Sequence, residues 1–508
     1  MSTRQPAANN ATTAVRVPRT RKTTARIALG AVGLACWIVT LTLHSATVTP
    51  FQRFAGLGAF VGSFAPQALA LAAVAAAAVS TASLRGRRIP KRLLWGVGSA
   101  LFLTGNVAFA VLSLTAANAV PGAAVTALSF VAGLGSVGTG LSWGRVFRGF
   151  GPRLSLAAVG LAGVCAAALG TLVALLPAVP CAAAFIACTT AAAALPPLCG
   201  MDAPGADDPA EADRRGIPRS TAERLKSFAG VAAPALIGLL AFAFVVGTMR
   251  ALVIESHPFH LASLAIDGAL LAALAAVHLK RPFAGLAYRS LIPALAVLLL
   301  TVTNISMALF GGSWVDMAMI YLLYTLAALL TLATLSAVAH AGEFPSDFVY
   351  GMPFSLFCLT SLVGLACAEA MSAEAVKVST TVITAVYAFA MVIVPWVRNQ
   401  RLASTEPFLE EESPSHEGLS HAPGNPTVPG SAAPTLEERC AALSETYRLT
   451  AREAEILRYL AAGYGSGYIS EVLYISPNTV RTHIHNIYGK LGVNAREEVL
   501  DLVKSPRP

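Results

Sequence analysis

Before residue 399 the chain alternates long apolar runs with short polar breaks; after it, apolar positions recur only at helical spacing. A helix that crosses a bilayer needs about 20 mostly apolar residues. Twelve runs reach that length, over 27–48, 58–82, 93–116, 121–142, 154–176, 178–199, 228–249, 260–279, 290–311, 316–340, 348–368 and 377–397. Several are rich in Ala and Gly, as in "ALALAAVAAAAVS" and "LAAVGLAGVCAAALG". Small residues let neighbouring helices approach closely, so these runs predict one packed bundle. Residues 399–434 hold no such run; their Pro, Gly, Ser and Glu cannot bury a core and predict a disordered linker. Periodicity returns in 435–508. Thr435 with Glu438, and Thr450 with Glu453, have the Thr-x-x-Glu spacing of capping boxes and predict two helix starts, with Gly463 suited to the second helix's stop. A shorter helix is expected near Gly467–Leu473, and another from Pro477 to near Leu491 with Ser476 as its cap. In that last helix Val480, Ile484, Ile487 and Leu491 share one side. Arg481, Thr482, His485 and Asn486 share the other, with no acidic residue among them.

The expected fold is therefore all-α. A basic tail (1–26) precedes a twelve-helix transmembrane domain (27–398, with a long polar loop at 200–227), the linker (399–434) and a small helix-turn-helix domain of about four helices (435–508).

Composition agrees. Of 508 residues 55% are hydrophobic and 12% charged, against about 25% charged in soluble domains. Six of the eight cysteines (Cys36, Cys165, Cys181, Cys188, Cys358, Cys367) lie inside apolar runs and read as small buried hydrophobes, with no CxxC or Cys/His cluster to suggest a metal site. The polar, basic start leads directly into successive apolar runs, so the first run reads as a spanning helix and not a cleaved leader.

Charge sharpens the topology. The net +9 divides into +13 over 1–398, −4 over 399–434 and zero over 435–508, so the basic excess is no DNA footprint. Of 26 Lys and Arg before residue 399, only Arg53, Arg250 and Lys377 fall outside when the N-terminus is placed inside. That asymmetry follows the positive-inside rule and, with an even count of spans, predicts both termini in the cytoplasm. "AGEFPSD", after the tenth run, has no Lys or Arg, and its side rests on counting.

Six runs, a long polar loop and six more runs resemble the major facilitator architecture over 27–398, which implies pseudo-symmetric halves around a central cavity. That family's loop between spans two and three usually carries a Gly-x-x-x-Asp-Arg-type motif; "LRGRRIPKR" has the basic residues without the aspartate. Ionisable residues inside spans are costly and mark candidate sites. Asp267, in "LASLAIDGALLAAL", is the clearest, with Arg250 ending the preceding run and "ESHPFH" (Glu255, His257, His260) between them. One reading is a ligand or ion pocket; the other is an Asp satisfied by a neighbouring helix beside an interfacial Arg.

"LTAREAEILRYLAAG", "SPNTVRTHIHNIYGKLGV" and "AREEVLDLV" together resemble the LuxR-type, or GerE-type, DNA-binding domain over about 446–503. The resemblance implies that Arg481, after Thr-Val, reads base edges, with Thr482 beside it and His485 one turn on. Thr479 and Lys490 match positions of phosphate contact or framework. Independently, at 100° per residue Asn478, Thr482, His485 and Gly489 face away from the Val480/Ile484/Leu491 side, with Arg481 on the flank. Arg can bond guanine bidentately, and His485 is either a base contact or a solvated surface residue. The DNA-binding set is thus Ser476, Asn478, Thr479, Arg481, Thr482, His485 and Lys490; the membrane pocket set is Asp267 and Arg250. "GSGYIS" replaces the usual "nkeIA" of the scaffold helix, Gly489 weakens the recognition helix by up to ~1 kcal/mol, and a domain without net charge binds DNA weakly alone. A homodimer on half-sites about one turn apart is expected.

The leading expectation is a one-component transcription regulator of the inner (cytoplasmic) membrane, with double-stranded DNA, the lipid bilayer and a small-molecule signal as partners. The alternative is a solute transporter with a regulatory DNA-binding tail; a bundle serving only as an anchor is a third. No phosphate-binding Gly loop, nucleophile–base pair or receiver acid cluster suggests an enzyme, and no cofactor is expected.

Overall fold

The structure, a computed structural model, describes residues 19–43, 57–87, 89–115, 122–201, 220–249, 257–276, 314–372, 375–376, 378–387, 389 and 435–504. All described regular structure is helical. In the bundle, α1 is Arg19–Leu43, α2 Leu57–Leu84, α3 Lys91–Thr115, α4 Gly122–Arg148, α5 Pro152–Leu175, α6 Ala178–Leu198, α7 Thr221–Met249, α8 His257–Ala276, α9 Trp314–Ala341 and α10 Ser346–Ala370. Among the described residues these ten are long and apolar enough to cross a membrane, and large apolar side chains such as Leu172, Leu175, Val179 and Val363 stay more than half exposed on the outside of the bundle. This is a polytopic membrane protein. The expected ninth run (290–311) lies outside the described residues, and of the twelfth (377–397) a short apolar helix, Val378–Tyr387, is described. The linker 399–434 and Arg250 also lie outside them. α1 begins at Arg19, within the expected basic tail 1–26, whose first 18 residues lie outside the described ones. Arg26 donates to the Cys199 carbonyl from Nε (3.3 Å) and Nη2 (3.0 Å), joining α1 to the end of α6.

Close helix contacts fall where glycines allow them. α5 crosses α8 with Gly160 and Gly163 against Gly268; a Cβ on Gly160 would lie 2.6 Å from the Ala272 nitrogen and 2.7 Å from the Gly268 oxygen. α7 crosses α10 in the same manner, Gly247 meeting Gly364. The strongest links between the halves are α5 with α8 and α2 with α10. A shift of six runs carries the fifth and eighth runs onto the eleventh and second, so the two links are symmetry mates.

One end of the bundle is closed by charge. Arg145 and Arg148 lie in the last turn of α4 and Asp347 in the first turn of α10, each sign suiting its end of the helix dipole. Arg145 is buried and grips Asp347 bidentately, Nε to Oδ1 at 2.9 Å and Nη2 to Oδ2 at 2.7 Å. Arg148 Nη1 donates to Ser346 Oγ at 2.9 Å, and His340 Nδ1 lies 2.9 Å from the Arg148 carbonyl. The short loop 342–345 between α9 and α10 emerges at this end.

The C-terminal domain has five helices, in keeping with the about four expected: α11 Leu436–Thr446, α12 Ala451–Ala461, α13 Ser466–Leu473, α14 Pro477–Leu491 and α15 Arg496–Lys504. Both capping boxes form. α15 places Val499 and Val503 in a core built with Ile456, Leu457, Leu460, Ile469, Val480, Ile487 and Leu491.

Candidate functional site

The helix pair α13–α14 owes its tight turn to Tyr474, which takes the left-handed conformation (φ 53°) that ends α13, and to Ser476, whose Oγ accepts from Thr479 N–H (3.2 Å) to start α14. Pro477 follows at the first helical position, where its missing N–H costs no bond. Gly492 (φ 70°) ends α14. Val480, Ile487 and Leu491 are buried, which turns the opposite face outward. Asn478, Arg481, His485, Asn486 and Gly489 are exposed there, and Thr479 and Thr482 half-buried. Arg481 Nη1 donates to Asn478 Oδ1 at 3.3 Å, and Thr482 Oγ1 to the Asn478 carbonyl at 3.0 Å. Asn478, Arg481 and His485 therefore form one outward surface. Ser476 is buried, and Lys490, itself exposed, pairs within the domain: its Nζ is 2.6 Å from Glu453 Oε2.

That last pair is framework chemistry. Burial pushes the Glu453 carboxyl up, but hydrogen bonds from Lys490 and from Thr450 outweigh it and hold the carboxyl below its ordinary value of 4.5. A lowered carboxyl favours the folded state wherever it is ionised. Its contribution is complete above pH 4.5 and is lost as pH falls through the lower folded value. Lys490→Met is expected to lower the thermal midpoint of residues 435–508 at neutral pH, with the gap to wild type closing as pH falls below 4.5; melts followed by circular dichroism across that range check it.

A second candidate lies within the bundle. A cavity of about 360 Å³ between the halves is lined by Trp37, Phe102, Trp143, Tyr321, Tyr324 and Phe357, among other mostly apolar residues. That is within the size range of small-molecule pockets. No lining residue among those described carries a formal charge; Asn106 and His260 are among the polar ones, and the His260 ring stacks on Tyr321 with centroids 5.3 Å apart. Asp267 is buried one layer behind this wall, where it bonds to the Thr325 hydroxyl, and Thr325 itself lines the cavity. Asp267 and the cavity are thus joined through one side chain. Arg250, the other expected pocket residue, lies outside the described residues. The aromatic lining is gathered from helices far apart in sequence, which no local pattern signals.

Residues 447–503 match the family described as bacterial regulatory proteins, luxR family. They form a LuxR-type helix-turn-helix domain. Over 71 residues the chain is 38% identical to the probable transcriptional regulatory protein NarL of Mycobacterium tuberculosis, covering 14% of this chain and 32% of that protein. Over 67 residues it is 42% identical to the Fimbriae Z protein of Escherichia coli (13% and 32%), and over 58 residues 43% identical to the transcriptional regulatory protein DegU of Brevibacillus brevis (11% and 25%). The chain thus spans about a third or less of the length of these relatives. Among solved structures, the chain is similar to the human organic anion transporter MFSD10, at 14% identity and a TM-score of 0.48 over 74% of this chain and 100% of that one. It is also similar to a bacterial homologue of the iron transporter ferroportin, at 12% identity and a TM-score of 0.49 over 73% and 97%.

Proposed function

We propose that this chain is a membrane-embedded one-component transcription regulator: the bundle takes a small molecule into its central cavity, and the LuxR-type domain binds promoter DNA from the cytoplasmic face of the inner membrane. The observation that carries this reading is the outward Asn478/Arg481/His485 surface of α14, held on a LuxR-type domain in the same chain as a bundle with ten spanning-length apolar helices among the described residues. The recognition helix of such a fold enters the major groove with its N-terminal residues toward the base edges; Asn478 and Arg481 occupy that part of α14, and His485 follows one turn on. Lys490 serves the domain's framework. The cavity's aromatic, uncharged lining suits a flat, largely apolar ligand with few polar groups. No enzyme activity or cofactor belongs to this reading.

The domain carries no net charge, so a single copy gains little from phosphate neutralisation. Two copies on half-sites about one turn apart supply the affinity. Selection from a random duplex library by the full chain in lipid nanodiscs tests this. Recovered sequences should share a motif repeated at that spacing; a single unpaired motif would leave the domain a monomer, and no enrichment would remove DNA from the account.

A transporter reading has one specific support, the cavity between symmetry-related halves. Proteoliposomes holding the purified chain should show no accumulation of a compound that binds it; accumulation would favour transport.

A further inference from the structure

The LuxR-type domain sits against the bundle, and one carboxylate organises the contact. Glu343 lies in the 342–345 loop between α9 and α10, and its oxygens accept from both parts of the chain. Oε1 accepts from Ser227 Oγ of α7 at 3.1 Å, from Ser476 Oγ at 3.0 Å and from Thr479 Oγ1 at 2.8 Å. Oε2 accepts from the Ser476 backbone N–H at 2.8 Å. Apolar contact flanks this contact on both sides. Tyr474 packs on the bundle cluster that includes Phe228, Phe344 and Phe348, and Ala341 packs on the domain's own core.

A carboxylate at this place does what a DNA phosphate would do. The N-terminus of a helix carries a partial positive charge and unpaired N–H groups, and it takes phosphates and carboxylates by the same chemistry. Backbone N–H groups, Ser and Thr hydroxyls and helix N-termini are among the groups that fix a protein on the DNA backbone. All three kinds meet Glu343 here. The neighbouring face is occupied as well: Thr479, Thr482, His483 and Asn486 line a gap of about 1160 Å³ whose other wall is Arg87, Lys91, Arg224 and His340 of the bundle. A gap of that size cannot admit a duplex, whose major groove alone is about 12 Å wide.

We propose that Glu343 is a bundle-borne stand-in for a DNA phosphate, so that the loop between α9 and α10 and promoter DNA compete for the start of α14. The proposal rests on the reading of the domain as DNA-binding. It also says where the cavity acts. α9 and α10, which the Glu343 loop joins, supply Tyr321, Tyr324 and Thr325, and Tyr350, Phe354 and Phe357, to the cavity wall. A ligand that spreads or draws together these two helices moves Glu343 relative to Ser227. The contact need not be strong, because both partners belong to one chain, which makes their association intramolecular.

The test uses the full chain in nanodiscs. A Gln at 343 has one acceptor oxygen for four donors and presents its N–H₂ to the rest. E343Q is expected to bind the duplex selected by the wild-type chain about tenfold more tightly or better, and hydrogen–deuterium exchange over residues 474–479 is expected to quicken in the absence of DNA. Ser227→Ala, which removes a bundle-side donor to Glu343 and leaves the residues of α14 unchanged, should shift both readouts the same way by less. Unchanged affinity in E343Q with unchanged exchange overturns the proposal; faster exchange with unchanged affinity overturns the competition. If neither chain retains any duplex, the DNA reading fails and the competition with it, whereas the exchange data still decide whether Glu343 docks the domain.

Discussion

Arg481→Ala is expected to weaken binding of the best duplex by about 1–3 kcal/mol, roughly 5- to 150-fold, and to relax the preference at one base position of each half-site. Arg481 is exposed near the start of α14, and its guanidinium is steadied by Asn478 Oδ1 at 3.3 Å. That contact uses one of the five N–H donors of the guanidinium, which leaves a fork free for O6 and N7 of a guanine. Removing it leaves the helix intact, since the buried side of α14 is untouched. Binding to random duplex should change little, and the salt dependence should fall by no more than about one counterion. Titrations of selected and scrambled duplexes at two salt concentrations check this. Equal loss on both would make Arg481 a phosphate contact and not a base reader.

A larger effect on stability is expected at the other charged position. Arg145→Leu should destabilise the bundle by about 3–5 kcal/mol, the usual range when one partner of a buried ion pair is removed. The Arg145 side chain is 2% exposed and that of Asp347 14%, so the orphaned carboxylate has little water to turn to. The pair links α4 of one half to α10 of the other, beside the loop that carries Glu343. Thiol-reactive dye melts of the detergent-solubilised chain give the readout, because Cys36, Cys181, Cys188 and Cys358 are buried free cysteines that become reactive on opening. Removing both charges with Arg145→Leu and Asp347→Leu should recover much of the loss; no recovery would place the cost in packing and not in charge.

How far the sequence carried these conclusions depends on the range of the interaction concerned. α14 runs from Pro477 to Leu491 as read from its Ser cap, its proline and the glycine beyond it, because those signals act within one turn. Most described spanning helices begin and end within a few residues of the apolar runs, since length and hydropathy are local properties; α1 and α7 start seven or eight residues earlier, and α4 ends six later, because their extra turns are polar and basic and carry no hydropathy signal. Asp267 was visible as an anomaly, but its partner Thr325 is 58 positions away and no pattern names it. Glu343 is the larger omission. Its bond to Ser476 joins residues 133 apart, and the single local signal was an acidic residue in a loop without Lys or Arg on a side otherwise marked by basic ones. Lys490, by family position either a phosphate contact or framework, pairs with Glu453 across 37 positions, a partner that no local pattern names.

The central claim is that a membrane-embedded chain occupies promoters through α14. Chromatin capture with the epitope-tagged full chain, from intact cells whose nucleoid and membrane are cross-linked together, addresses it directly. The account predicts a small set of discrete promoter fragments recovered with the membrane fraction, lost with Arg481→Ala and enlarged with E343Q. Recovery of no fragment above background, or of the same fragments with Arg481→Ala, would contradict it.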